Sequence, residues 1–211
     1  LKGNGVQEII SVAEEFGLDS MVDIGMDLMP YVSSFRNMVK FNRLERRMKE
    51  HSNQLKRIGQ LSKSSTLAAD YIAERIFPIV LADLIEEHED AKINLILNGF
   101  ENVFIEEKSE ESIVINYYDT LRNLRYKDVR RFLDLVGVTG SYDTPLIITE
   151  EAAIISGIDV KLESNGLVSI DRVGIGHGQY AFVSPADVKE THYGKRFLKF
   201  ILSKEKKVAE S

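Results

Sequence analysis

The sequence predicts a mainly α-helical protein in two parts. A helical hairpin or bundle is expected over residues 1–110 and a winged-helix-like domain with a two-stranded wing over 111–211. Three observations predict it. Apolar residues recur at helical spacing through the first half of the chain. Near residue 111 the texture changes to shorter helical segments parted by glycine-bearing loops. Alternation of period two is confined to roughly 167–184, where Val168 and Ile170, then Tyr180 and Phe182, flank the glycine-rich GIGHG.

Val6, Ile9, Ile10, Ala13 and Phe16 mark the first helix, and Gly17 stands where a C-cap glycine belongs. Asp19 or Ser20 caps a second, carrying Met21, Ile24, Leu28 and Met29, before Pro30 kinks or ends it. From Phe41 the spacing tightens. Phe41, Leu44, Met48, His51, Leu55 and Ile58 alternate three and four apart, too briefly for a coiled coil, so one long helix in a hairpin is expected. Ser65 or Thr66 starts the next helix, with Leu67, Tyr71, Ile72 and Ile76, interrupted at Pro78. Ile93, Ile96, Leu97, Phe100, Val103 and Phe104 form an apolar stripe. Beyond it come helices over Ile113 to Leu124 and Val129 to Val136, the latter ending at Gly137.

The stretch 160–166, VKLESNG, has two physical readings. Alternation of Ile158, Val160 and Leu162 before Asn165-Gly166 suits a β-hairpin. Alternatively, Thr149 caps a helix over Ala153, Ile154, Ile158 and Leu162, with Gly166 as its left-handed C-cap and Leu167 folding back. The helix is preferred because it alone explains why a wing-like hairpin comes next. A last helix carries Tyr193, Phe197, Phe200 and Ile201, with Lys195, Arg196 and Lys199 outward.

Composition narrows the chemistry. The 211 residues are 44% hydrophobic and 28% charged, ordinary for a soluble globular chain. The absence of cysteine removes disulfides, thiolate metal sites and cysteine nucleophiles, and a cytoplasmic location is expected. Asp19, Asp23 and Asp27 interrupt the most apolar long stretch, each costing about 2.5–3.5 kcal/mol at a bilayer centre, so a membrane span is not expected. No catalytic, cofactor or metal site is expected. EEHED (86–90) lacks the paired Glu-x-x-His of a di-iron bundle, since position 85 is isoleucine. GIGHGQ has no helix start after it to hold a phosphate.

Charge is unevenly spread. Arg43, Arg46, Arg47, Lys56 and Arg57 make a basic helix, a candidate surface for nucleic acid or an acidic partner. From Asp83 to Glu111 carboxylates dominate, with Lys92 and Lys108 the sole cations, so the two segments are expected to mate within one chain or between two. Arg122, Arg125, Lys127, Arg130 and Arg131 form a secondary basic surface, and Arg172 and His177 a candidate wing tip. The 150–163 helix carries Glu150, Glu151, Asp159 and Glu163 against Lys161 alone, which a DNA duplex would repel.

PIVLADLIEEHEDAKINLILNGFENV, YYDTLRNLRYKDVRRFLDLVG, KLESNGLV and YGKRFLKFI together resemble bacterial proteins of the abortive-infection alpha type, over about residues 67–202. ADVKE before Thr191 departs from that family's closing pattern. The resemblance implies an antiviral-defence role as accessory subunit or effector, without catalytic residues. A non-enzymatic interaction protein that binds a protein partner or itself is therefore expected. The alternatives are a DNA-binding regulator or DNA-bound accessory subunit of an SMC-type complex, and a membrane-acting effector inserting residues 6–39.

Overall fold

The computed structural model describes residues 4–19, 21, 38–140, 142, 149–171 and 183–204. Among them the chain is mainly helical with one small antiparallel sheet. It divides into two compact units, Leu1–Arg122 with Phe200–Ser211, and Asn123–Lys199. The expected second helix beyond Met21, the GIGHG segment with Tyr180 and Phe182, and the wing-tip pair Arg172 and His177 lie outside the described residues.

The first unit contains α1 (Asn4–Glu14), α2 (Met38–Glu50), α3 (Ser52–Ser64), α4 (Phe77–Glu86), α5 (Ile93–Ile105) and α6 (Glu111–Asn123). The end of α1 follows the expected chemistry. Gly17 adopts φ +70°, its N–H donates to the Glu14 carbonyl, and the Leu18 N–H reaches back to Ala13. That bond pair satisfies the last carbonyls of the helix, and only a left-handed residue permits it cheaply.

The expected single helix over 41–58 is instead two. His51, at φ −106° and ψ 22°, leaves the helical region between α2 and α3. The break is shallow, because the His51 and Leu55 N–H groups still bond the carbonyls four residues back. The apolar seam survives it: Leu44, Met48, Leu55 and Ile58 are all buried. Gly59 lies where α3 meets the end of α1; a Cβ there would stand 2.0 Å from the Phe16 carbonyl oxygen.

Pro78 also acts differently from expectation. It does not interrupt the helix but sits in the first turn of α4, directly after a π-helical turn over Tyr71–Ile76. Proline lacks an N–H and its ring crowds the carbonyl four residues back. A wider turn upstream accommodates both effects without ending the helix. Ser65 ends α3 and accepts from the Leu67 N–H in a local turn, rather than capping the start of the next helix. The core of this unit is completed by Phe77, Phe100, Phe104, Tyr117, Tyr118 and Phe200, with rings in tilted or edge contact.

The second unit contains α7 (Tyr126–Leu135), α8 (Glu150–Ser164), β1 (Val168–Ile170) and β2 (Val188–Glu190), and continues into α9 (His192–Ile201) as far as Lys199. The helix reading of VKLESNG is the observed one. Thr149 accepts from the Ala152 N–H at the start of α8. Gly166, at φ +70°, ends it, its N–H on Glu163 and the Leu167 N–H on Leu162. Leu162 and Leu167 are both fully buried, so the fold-back contact is made. Gly137, at φ +75°, closes α7 by the same bond pair, to Asp134 and from Val138 to Leu133.

Two expectations for this unit are corrected. The buried stripe of α8 is Ala152, Ile155, Ile158, Asp159 and Leu162, while Ala153 and Ile154 face solvent. AAII offers two apolar registers one residue apart, and the polar anchor of Asp159 selects between them. Strand structure is not confined to 167–184: among the described residues β1 pairs with β2, with Val168 opposite Glu190 and Ile170 opposite Val188. This second strand lies beyond 184, inside ADVKE. Thr191 then secures the junction, donating to the Gly166 carbonyl at 2.5 Å and accepting from the Gly194 N–H at 2.8 Å.

Candidate interaction surfaces

The basic helices mate with the acidic segment inside the first unit. Arg47 is 2% exposed. Its guanidinium donates to the carbonyls of Leu84 (2.6 Å) and Glu87 (2.7 Å) and to the Asp90 carboxylate (2.7 and 3.0 Å). It therefore caps the C-terminal end of α4, where unpaired carbonyls gather. Arg46 reaches Asp90 and Glu50, Lys40 pairs with Glu86, and Arg43 donates to the Ile85 carbonyl. The Arg47 hydrogen bond, ahead of that from Arg46, holds the Asp90 carboxyl below the usual carboxylate range. Further along, Arg57 pairs with Glu101 at 2.9 Å and Gln54 donates to Asn98 and Glu101.

Of this set, the structure corrects Arg47 as a surface residue. Arg47 is buried, and Arg43, Arg46 and Arg57 are engaged by partners of the same unit. Lys56 stays exposed. Four of the five thus meet carboxylates or a carbonyl of the 83–111 segment within the same chain.

The secondary basic surface divides. Arg122 pairs with the buried Asp83 at 2.5 Å and with Asp119 at 2.8 Å. Burial pushes the Asp83 carboxyl up to about 6, and the guanidinium offsets only part of that push. Arg125, Lys127 and Arg130 are exposed on and before α7, with Lys127 reaching Glu151 at 3.3 Å. Arg131 is 1% exposed and belongs to the core of the second unit, which corrects its place on a surface. It donates to both Asp159 oxygens (2.8 and 3.1 Å), to Asp134 (3.0 Å) and to the Val183 carbonyl (2.5 Å), and lies over the Tyr142 ring.

Sequence reasoning treated Arg131 and Asp159 as solvated charges. The signal against that was present: Arg131 sits four before Leu135, and Asp159 lies four after Ile155 and three before Leu162, both on buried stripes. With Asp159 buried, the exposed charges of α8 are few. Lys161 is tied to Asp128 at 2.8 Å, and Asp128 also accepts from the Arg125 N–H. What α8 presents outward is Ala153, Ile154 (47% exposed), Gly157 and Val160 (54%), with Glu150 and Glu151 at its start.

His88 is exposed, and its N–H and that of Glu89 cap on the Glu87 carboxylate, which pairs with buried Lys92. Among the described residues no cluster of His, Asp or Glu is placed to hold a metal ion. Among them, too, no helix is long and apolar enough to cross a membrane. Scans against protein-family models, curated proteins and solved structures return no match.

Proposed function

We propose that this chain is a non-enzymatic interaction protein of a bacterial abortive-infection-type defence system, acting as accessory subunit or effector through a winged-helix-like second unit that docks a protein. The order α7, α8, β1–β2 pair, α9 supports the winged-helix part of the reading. The resemblance over 67–202 supports the defence part.

One observation carries the docking part: the outward face of α8, the helix that would read a duplex, bears Ala153, Ile154, Gly157 and Val160 and no unpaired cation. DNA affinity comes mainly from Lys and Arg neutralising phosphates. Apolar exposed groups on one face favour a protein partner instead. A DNA-binding reading is favoured by one specific feature, the exposed Arg125, Lys127 and Arg130 at the start of α7.

A duplex shift assay across a salt series separates the two. The docking reading expects no salt-dependent shift at moderate salt. A steep fall of log K with log salt, lost in an Arg125→Glu/Arg130→Glu double variant, overturns it. Phage challenge of bacteria expressing the chain tests the defence role. Protection that disappears with Ile154→Glu is the expected result; plaque counts equal to the empty vector remove the role.

A further inference from the structure

We propose that the cationic outward face of α9 binds an acidic end of the first unit of a second copy of this chain, head to tail. The contact goes beyond the docking reading above, since α8 takes no part in it. α9 holds no acidic residue. Its buried side is fixed within the second unit: the Phe197 ring packs on Phe132, and a Cβ on Gly194 would stand 2.0 Å from the Leu167 carbonyl oxygen. The opposite side presents Lys195, Arg196 and Lys199 to solvent, with Lys195 and Lys199 one turn apart. Arg47, Arg57, Arg122 and Arg131 all pair with carboxylates of their own units. Lys195 and Arg196 close no ion pair among the described residues, and Lys195 acts on the Glu190 carboxyl without bonding it.

The same chain supplies the complementary surface. The second unit has ten basic and ten acidic residues, so the net charge of −6 falls wholly on the first. In that unit Tyr71 donates to the Lys108 carbonyl at 2.8 Å and Arg75 pairs with Glu111 at 2.9 Å. Those bonds set the turn over 70–76 beside the loop over 106–111. Asp70, Glu74 and Glu110 are exposed there and close no ion pair among the described residues. Asp70 and Glu74 lie four apart in a helical stretch, as do Lys195 and Lys199, so the two pairs match at about 5–6 Å spacing. Three cations on one short helix neutralise little of a duplex, which carries a charge every ~1.7 Å, but three carboxylates answer them. The two surfaces differ, so the contact is heterologous and repeats from copy to copy. Exposed pairs contribute little each, which makes the association weak, concentration-dependent and salt-sensitive.

Sedimentation equilibrium of the intact chain at low salt should show self-association that grows with concentration and weakens as salt is raised. Lys195→Glu/Lys199→Glu and Asp70→Lys/Glu74→Lys should each weaken it at least about tenfold, because each sets like charges against each other. Arg125→Glu/Arg130→Glu makes the same change in net charge on α7 as the first pair does on α9, and should leave association unchanged. Mixing the two charge-reversed variants should restore it, since every reversed surface then faces an opposite one. A variant that had lost its fold would not be rescued in this way. A chain monomeric at millimolar concentration in low salt, or reversed variants that stay apart when mixed, overturns the second copy. A DNA duplex that binds the intact chain and is lost in Lys195→Glu/Lys199→Glu, while the mixture stays monomeric, overturns it too and gives the face to nucleic acid.

Discussion

At the scale of single residues, the buried charges carry the sharpest consequences. Arg131 and Asp159 are 1% and 3% exposed and hydrogen-bond each other through two oxygens. Removing one member of such a pair strands the other in a low dielectric, whereas an exposed pair contributes little. Asp159→Ala is expected to cost about 3–5 kcal/mol in urea unfolding. Lys127→Ala, which removes an exposed pair with Glu151, should cost no more than ~1 kcal/mol. Equal losses would show that Arg131 is rescued by Asp134 and Val183 alone. Glu107 offers the opposite kind of change. It ends α5 at φ +46°, with its N–H on Phe104 and the Lys108 N–H on Val103, the bond pattern that glycine supplies at three other helix ends. A non-glycine residue held left-handed costs about 1 kcal/mol. Glu107→Gly should therefore raise stability by that order, less the bond its carboxylate accepts from the Thr66 N–H. A lower Tm in that variant would mean the Thr66 bond outweighs the backbone gain.

At the scale of elements, α2 and α3 show how apolar burial and charge share one task. The basic side chains of α2 choose their neighbour by pairing with Glu86 and Asp90, and α3 reaches Glu101 through Arg57. The stabilising weight rests on Leu44, Met48, Leu55 and Ile58 together with the buried Arg47, because the exposed ion pairs of Lys40 and Arg46 contribute only ~0–1 kcal/mol each. Leu55→Ala should cost roughly 2–5 kcal/mol, the range for a large side chain removed from a packed core. Arg43→Ala, whose guanidinium holds one carbonyl, should cost little. A Tm unchanged by Leu55→Ala would mean that α3 contributes nothing to the core.

At the scale of the whole molecule, the pH response collects opposing carboxylates. Asp83 has a folded pKa of about 6, raised by burial above the ordinary carboxylate value. The folded state then binds more protons than the unfolded one between about pH 4 and 6, so this group's contribution to stability falls as pH rises through that window. Asp90, held low by Arg47, works the other way: its stabilisation is present above the ordinary carboxylate pKa and is lost as pH falls through the folded value. Asp83→Asn removes the first effect and leaves the second. Its urea midpoint should consequently drop more steeply than that of the parent between pH 6 and 4. Parallel curves would show that Asp83 stays ionised beside Arg122 throughout.

Helix ends and strand onset were legible in the sequence because they are local. Gly17, Gly137 and Gly166 each take φ near +70°, and the conformation depends only on a residue without a Cβ at the end of an apolar-periodic run. The Thr149 cap and the β1 strand after Gly166 follow from the same short-range chemistry. The mating of basic and acidic segments was legible as complementarity, with contact within one chain left as one of two alternatives. The tertiary structure alone decided which charges are solvated. Arg47, Arg131 and Asp159 look like surface residues in a window of sequence, since burial of a charge depends on carbonyls and carboxylates supplied from distant segments. It also decided the register of α8. AAII permits two faces one residue apart, and the Arg131 anchor on α7 pulls Asp159 inward, which turns Ile154, Gly157 and Val160 out to solvent.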